Sequence, residues 1–379
     1  MKKINMFVVG AMMLIGGCGK SGEVAKPETI KIGGMAPLTG ALAIYGVTTT
    51  NGAELAVKEI NENGGVLGKK IEYVMLDTKG DSTEAVMAYN KLVDEKVAGI
   101  IGEVTSKPTL AVAEVAVQDN MPLITPTGTQ VDITEAGPNI FRVCFTNPYQ
   151  GKVLAITSKE RLGADTVAVM LNNSSDYSDG IAKAFIEESE KLGRRVMGVE
   201  GYSDGDKDFR AQLTKILPTN PDVLVIPDYY EQVALITAQA REIGLKSTFI
   251  GPDGWDGVSK TLDPSAYGVI ENSYFTNHYS LDDQSEKVQN FVKAYRETYK
   301  EDPSSFAALS YDAAYMMKAA IEKAGTTEKQ AVVDALKGIE YDGVTGHLTF
   351  DEKNNPVKAV TVLKIVNGKY TFDSIVEAK

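Results

Sequence analysis

From residue 29 onward, short β-branched runs alternate with stretches whose apolar residues recur at helical spacing. The first run is Ile30–Leu38. A helix is predicted near Val47–Asn63, where Ala53, Ala56, Val57 and Ile60 fall on one face, and Asn63-Gly64-Gly65 ends it. Lys70–Asp77 reads as a strand, Asp81 as the cap of a helix running to about Lys96, and Val97–Val104 as a strand. Ser106–Asn120 reads as helix and Pro122–Thr125 as extended. After Pro148 the alternation resumes. Helices are predicted near Tyr149–Leu162, Ser178–Leu192, Asp208–Leu217 and Glu231–Ile243. Strands are predicted at Thr166–Asn172, Arg195–Gly201, Asp222–Pro227 and Thr248–Gly251. Repeated βαβα units imply a parallel sheet covered by helices on both faces. Two such series of similar length predict an α/β protein of two doubly wound lobes, with a crossover near Thr146-Asn147-Pro148.

The last hundred residues break the pattern. Gly268–Thr276 looks extended, and helices follow at Ser285–Tyr299, Phe306–Ala324 and Glu328–Leu336. After His347–Phe350 comes a hairpin, Ala359–Val366 with Lys369–Ile375, turned at Asn367-Gly368. This tail is too strand-poor for a third doubly wound domain. It is expected to add helices to the first lobe and edge strands to the second, so that the chain crosses between lobes three times. The expected division is 29–147 plus 277–352 for lobe 1 and 148–276 plus 353–379 for lobe 2.

The N-terminus carries different chemistry. Lys2 and Lys3 precede a mostly apolar run to Gly17, too short to span a bilayer. The run ends Leu14-Ile15-Gly16-Gly17-Cys18, which resembles a bacterial lipobox, in which small residues let a peptidase approach the backbone before the cysteine is lipidated. The competing reading is an ordinary secretory signal with an incidental cysteine. Residues 1–17 are therefore expected to be a lipoprotein signal peptide and 18–28 a flexible tether. The protein would then be extracytoplasmic and lipid-anchored at Cys18, without spanning the membrane.

Composition narrows the chemistry. A net charge of −12 over 379 residues argues against nucleic acid, whose binders need a basic patch. Two cysteines, Cys18 and Cys144, and two histidines, His278 and His347, exclude a disulfide framework and leave no cysteine–histidine zinc cluster. No metal or other cofactor is expected. Cys144 lies in the apolar run Phe-Arg-Val-Cys-Phe and reads as a buried, inert thiol. Gly201-Tyr202-Ser203-Asp204-Gly205 matches a nucleophile elbow, and Asp253 and His278 follow in hydrolase order. Asp204, Asp206 and Asp208, however, suit helix caps better than an esterase site, so a secreted serine hydrolase using Ser203 is the weaker alternative. Gly64–Lys69 is one residue short of a P-loop and follows a helix, so it reads as a turn.

Several runs together carry a resemblance: Ile30-Lys31-Ile32-Gly33, Pro37-Leu38-Thr39-Gly40, Tyr45-Gly46, Asn51-Gly52-Ala53-Glu54-Leu55-Ala56, Gly99-Ile100-Ile101-Gly102, Thr125-Pro126-Thr127-Gly128-Thr129, Asp176-Tyr177-Ser178-Asp179-Gly180 and Gly251-Pro252-Asp253-Gly254. Their order and spacing over residues 29–366 resemble the type I periplasmic binding proteins of the leucine/isoleucine/valine-binding family. That resemblance implies two lobes joined by three hinge crossovers and closing on a small solute, without catalysis. It implies a monomer that delivers an amino acid, a branched-chain one (Leu, Ile or Val) foremost, to the permease of an ABC transporter. It also implies roles. Ser106, Thr127 and Thr129 would hold the ligand's carboxylate and share in binding its ammonium, and Asp253 would pair with the ammonium. Tyr45, Tyr177, Tyr229 and Phe306 would wall the side-chain pocket. Physics is compatible with this, because a helix start offers free N–H groups to an anion and a buried ammonium needs an acidic partner. The competing readings make Ser106 a plain helix cap and Asp253 a turn residue. The family often has glutamate at the Asp253 position. Trp255, two residues on, is a further candidate for the pocket. The same fold binding an aromatic carboxylate, amide or short peptide is the alternative within the family.

Overall fold

A computed structural model describes residues 28–377. The signal peptide, Cys18 and most of the tether lie outside the described residues. The chain runs β1 (Ile30–Ala36), α1 (Ala43–Glu62), β2 (Ile71–Asp77), α2 (Ser82–Asp94), β3 (Ile100–Ile101), α3 (Ser106–Ala116), β4 (Leu123–Thr125), α4 (Asp132–Glu135) and β5 (Ile140–Arg142). These strands form one parallel sheet in the order β2-β1-β3-β4-β5. The chain then passes through α5 (Asn147–Glu160) into β6 (Thr166–Asn172), α6 (Asp176–Lys191), β7 (Arg195–Tyr202), α7 (Arg210–Ile216), β8 (Val223–Val225), α8 (Tyr230–Glu242), β9 (Thr248–Gly251) and β10 (Tyr274–Asn277). It leaves that sheet for α9 (Glu286–Tyr299), α10 (Ser305–Ala324) and α11 (Lys329–Lys337). The short ribbon β11 (Tyr341–Gly343) and β12 (Gly346–Leu348) follows, then the hairpin β13 (Val360–Val366) and β14 (Lys369–Val376). The second sheet is ordered β14-β13-β10-β9-β8-β6-β7, parallel except for the hairpin at its edge. The result is a two-lobed α/β protein with parallel sheets at its cores.

The local chemistry explains these elements. The Asp81 carboxylate accepts the N–H groups of Thr83 and Glu84, satisfying two orphan donors at the start of α2. Asn367 and Gly368 both have positive φ, as the tight turn between β13 and β14 requires. Helix α10 returns to the first lobe and packs on α1. At Gly52 a Cβ would lie 2.0 Å from the Ala307 carbonyl oxygen, so only glycine permits this approach. The Tyr311 and Tyr315 hydroxyls donate to Glu59, at 2.5 and 2.9 Å, along the same seam.

Three expectations about elements need correction. The apolar run Val97–Val104 is buried throughout, but only Ile100–Ile101 pair as a strand, because β1 and β4 each offer partners to those two residues alone. Strand β5 and the short α4 were not predicted. Each is three or four residues long, below the length at which periodicity is readable. The run Gly268–Thr276, expected to be extended, begins inside a helical turn, Pro264–Val269, and only Tyr274–Asn277 pair as a strand; the Asp263 side chain accepts from the Ser265 N–H at the start of that turn.

Candidate functional site

The two sheets turn their carboxyl ends toward each other. Tyr45 follows β1, Ser106 follows β3, and Thr127 and Thr129 follow β4. Tyr177 follows β6, Tyr229 follows β8 and Asp253 follows β9. In open parallel sheets this edge is where ligands are held. Phe306 reaches it from the first turn of α10. All eight residues thus come to the face between the lobes. All except Tyr229, which is half-buried, are nearly inaccessible to solvent.

On the first lobe, Ser106 is the first residue of α3, and its Oγ lies 3.3 Å from the Thr129 Oγ1. The Thr127 hydroxyl donates to the Val104 carbonyl at 2.6 Å and so ties its loop to the end of β3. Arg142 fixes that loop from below. Its guanidinium donates to the carbonyls of Gly128 (2.8 Å) and Gln130 (2.7 Å) and to the Thr134 hydroxyl (3.1 Å). Burial pushes the Arg142 guanidinium down to about 10. Beneath the α3 start lies Glu103, fully buried. It accepts the Thr78 hydroxyl at 2.6 Å and the N–H groups of Val104 and Thr105 at 2.7 and 2.9 Å. Burial outweighs these bonds and raises the Glu103 carboxyl to about 7.

On the second lobe, Asp253 is 1% exposed. Its Oδ1 accepts the Tyr177 hydroxyl at 2.7 Å, and its Oδ2 lies 3.3 Å from His278 Nε2. Its backbone N–H donates to Gln150 Oε1 at 2.9 Å. Asp228 is also buried. It accepts the Tyr202 hydroxyl and the Tyr229 N–H, and burial raises its carboxyl to about 6.

Aromatic rings join the two halves. Tyr177 and Tyr229 stack at 4.7 Å, with an interplanar angle of 20°. Tyr45 meets Tyr229 at 5.7 Å and Tyr230 at 4.7 Å edge-on, and Phe306 at 4.6 Å with the rings tilted by 38°. The Tyr45 hydroxyl donates to the Gly254 carbonyl across the gap. Burial pushes the Tyr229 phenol up, and the nearby Ser106 backbone N–H acts in the opposite direction. Ser106 and Asp253 therefore sit at opposite ends of one tyrosine stack. A cavity of about 450 Å³ opens beside it, lined by both lobes and walled by Tyr177 and Tyr229. Asp253 and Ser106 lie one layer deeper, against those tyrosines.

Other residues are placed elsewhere. Trp255 is not part of the cleft wall. Its indole N–H donates to the Ile226 carbonyl at 2.8 Å and its ring fills the core of the second lobe. Ser203 lies in an exposed turn after the edge strand β7, its N–H donating to Asp206. Two strands, β8 and β6, lie between β9 and β7, so Ser203 does not join the Asp253–His278 pair, and the elbow reading fails. Cys144 is buried, and burial raises its thiol to about 12, which suits an inert residue. Glu103, Gln150 and Asp228 were missed by motif reading, and Arg142, noticed in the run Phe141-Arg142, was given no role. His278 was noticed only as a would-be triad member, and its pairing with Asp253 depends on the β9–β10 adjacency, which no local pattern reveals. Among the described residues no group of side chains is arranged to hold a metal ion, and no helix is long and apolar enough to cross a membrane.

A two-lobed α/β body with polar groups at facing sheet edges is the architecture of a solute-binding protein. The chain belongs to the periplasmic binding protein family, whose model matches residues 29–369. It is similar to the leucine-, isoleucine-, valine-, threonine- and alanine-binding protein of Pseudomonas aeruginosa, at 31% identity over 329 residues, 86% of this chain and 87% of the relative. Among solved structures it is similar to the branched-chain amino acid transporter substrate binding protein LivJ of Streptococcus pneumoniae in complex with isoleucine. That match has a TM-score of 0.87 and 36% identity, and covers 92% of this chain and 99% of that one. The leucine binding protein LivK of Thermotoga maritima has a TM-score of 0.84 at 34% identity, with the same coverage. The family is one of substrate-binding proteins, not enzymes.

The Glu103 carboxyl gives this site a pH signature. Its folded value, near 7, lies above an ordinary carboxyl's, so the folded state holds the proton more tightly than the unfolded chain does. Ionising Glu103 therefore costs stability, and that cost grows as pH rises from about 4.5 to about 7. Glu103→Gln removes the dependence while keeping hydrogen-bonding capacity. Denaturant titrations at pH 8 and pH 5 are expected to show wild type gaining on Glu103→Gln as pH falls. A constant difference would mean that Glu103 is ionised throughout.

Proposed function

We propose that this protein captures a branched-chain amino acid between its lobes and presents it to the permease of an ABC transporter from an extracytoplasmic, lipid-anchored position. The observation that carries the reading is the polarity of the cleft. The N–H-rich start of α3, with the Ser106 and Thr129 hydroxyls, lies on one lobe, and the buried Asp253 carboxylate lies on the other. A helix start suits a carboxylate and an acid suits an ammonium, so a zwitterion matches both ends at once. Tyr45, Tyr177, Tyr229 and Phe306 supply an apolar wall for the side chain. The names of the P. aeruginosa, S. pneumoniae and T. maritima relatives support the same ligand class. An aromatic carboxylate would leave Asp253 facing no cation. We assign residues 29–147 plus 277–352 to one lobe and 148–276 plus 353–379 to the other. Ligand binding would favour the closed arrangement of these lobes by bonding to both.

Calorimetry on protein unfolded and refolded to strip bound ligand tests this reading. Leucine, isoleucine or valine should bind saturably at one site per chain. A hundredfold excess over Kd should add about 2.7 kcal/mol to stability. Saturable binding of benzoate with none of any α-amino acid would contradict the proposal. For the anchor, Cys18→Ser is expected to move the protein from the membrane fraction to the soluble fraction. Retention in the membrane would show that Cys18 is not the attachment point.

A further inference from the structure

His278 takes no part in the roles described so far, yet its surroundings are unusual. It is 3% exposed and begins the segment that leaves β10 for the first lobe. Its Nε2 faces Asp253 Oδ2 at 3.3 Å. Burial lowers the imidazole to about 4, so the ring is neutral in ordinary buffers. Lysine 358, whose charge also disfavours the imidazolium, approaches from the segment before β13. A carboxylate can only accept, so the neutral ring must carry its proton on Nε2 and donate it to Asp253. That choice leaves Nδ1 as a buried acceptor without a partner. An unpaired buried polar atom is costly, so the arrangement serves the bond to Asp253 rather than the histidine's own satisfaction.

The position of the ring adds a second observation. Phe145, in the segment between β5 and α5, stacks on His278 at 3.9 Å with an interplanar angle of 16°. Lys358 Nζ donates to the Val143 carbonyl at 3.3 Å. All three segments that pass between the lobes therefore meet around this imidazole: Val143–Phe145, His278 itself and Lys358. On the opposite side of Asp253, the Tyr177 hydroxyl holds Oδ1, and Gln150 holds the backbone N–H while also accepting the Thr276 hydroxyl at 2.8 Å. Tyr177 and Gln150 move with the second lobe, whereas His278 sits where the lobes join.

We infer that His278 is a positioning residue: its Nε2–H orients the Asp253 carboxylate for the ligand's ammonium and ties it to the joint between the lobes. The inference rests on the reading of Asp253 given under the proposed function. It predicts selectivity for one pole of the ligand. Losing the imidazole should weaken binding of leucine, which carries the ammonium, and leave binding of 4-methylpentanoate, the same molecule without it, nearly unchanged.

The experiment is calorimetry of leucine and 4-methylpentanoate, the latter by competition where weak, on wild type, Asp253→Asn, His278→Ala, His278→Gln and His278→Asn. Circular dichroism and Tm accompany each variant. Glutamine can place an N–H where Nε2 lies, whereas asparagine reaches only the Nδ1 position. His278→Ala and His278→Asn are expected to weaken leucine roughly tenfold or more, and His278→Gln to stay within about threefold of wild type, the scale of one hydrogen bond to a charged group. 4-Methylpentanoate should change little in all three. Equal losses for the two ligands, or equal behaviour of the Gln and Asn variants, would reduce His278 to a packing residue and overturn the inference. If His278→Ala does not fold, the Gln–Asn contrast decides alone. Asp253→Asn separates the two layers of argument. If it leaves leucine affinity unchanged, the ammonium reading of Asp253 fails and the inference falls with it. If it weakens leucine while the histidine variants do not, only the inference about His278 fails.

Discussion

A carboxylate removed from water must be held by donors, and Asp253 is gripped on both oxygens and through its backbone N–H. The rest of the cleft is arranged around this requirement. Tyr177 has to lie at the start of α6 to reach Oδ1, so its ring is available to stack on Tyr229. Tyr229 occupies the N-cap position of α8, and its phenol lies near the Ser106 amide of the other lobe. A solute with opposite charges at matching separation answers both ends, and a solute with only one charge leaves the other end uncompensated.

The opposite pole is supported in the same manner. Arg142 spends its donors on the carbonyls of the 128–131 loop, which carries Thr129 to Ser106. Glu103 takes up the N–H groups of Val104 and Thr105, just before α3, and so fixes the chain that leads into Ser106. Each pole is thus a hydrogen-bonded polar constellation on its own sheet edge. Contacts such as Tyr45 to Gly254, and Asp256 to the Ser305 N–H at 2.8 Å, then fasten the halves around the cleft. The acidic side chain in the second of these is buried.

Much of this was legible in the chain. The alternation of β-branched runs with amphipathic stretches is strong because most strands are buried on both faces, and the Asn367-Gly368 turn and the Asp81 cap carry their own chemistry. Ser106 and Asp253 were singled out by the family resemblance, which the strand-to-helix and strand-to-turn positions of the two residues accompany. Their supporting residues were not. Arg142 sits in a three-residue strand too short to show periodicity. Gln150 looks like any polar residue on a helix, and Glu103 like a solvated acid, until the sheets bury them. The pairing of His278 with Asp253 joins residues 25 apart through adjacent parallel strands, and sheet order is a tertiary fact. Trp255 shows the opposite failure: closeness in sequence to Asp253 suggested the cleft, but a large apolar ring is better accommodated in the core.

The most direct measurement is a crystal structure of the mature protein grown with leucine. The account predicts one ligand between the lobes, its carboxylate against the Ser106 amide and the Ser106 and Thr129 hydroxyls, and its ammonium against Asp253. A leucine bound in the reverse orientation, or at a place touching only one lobe, would contradict it.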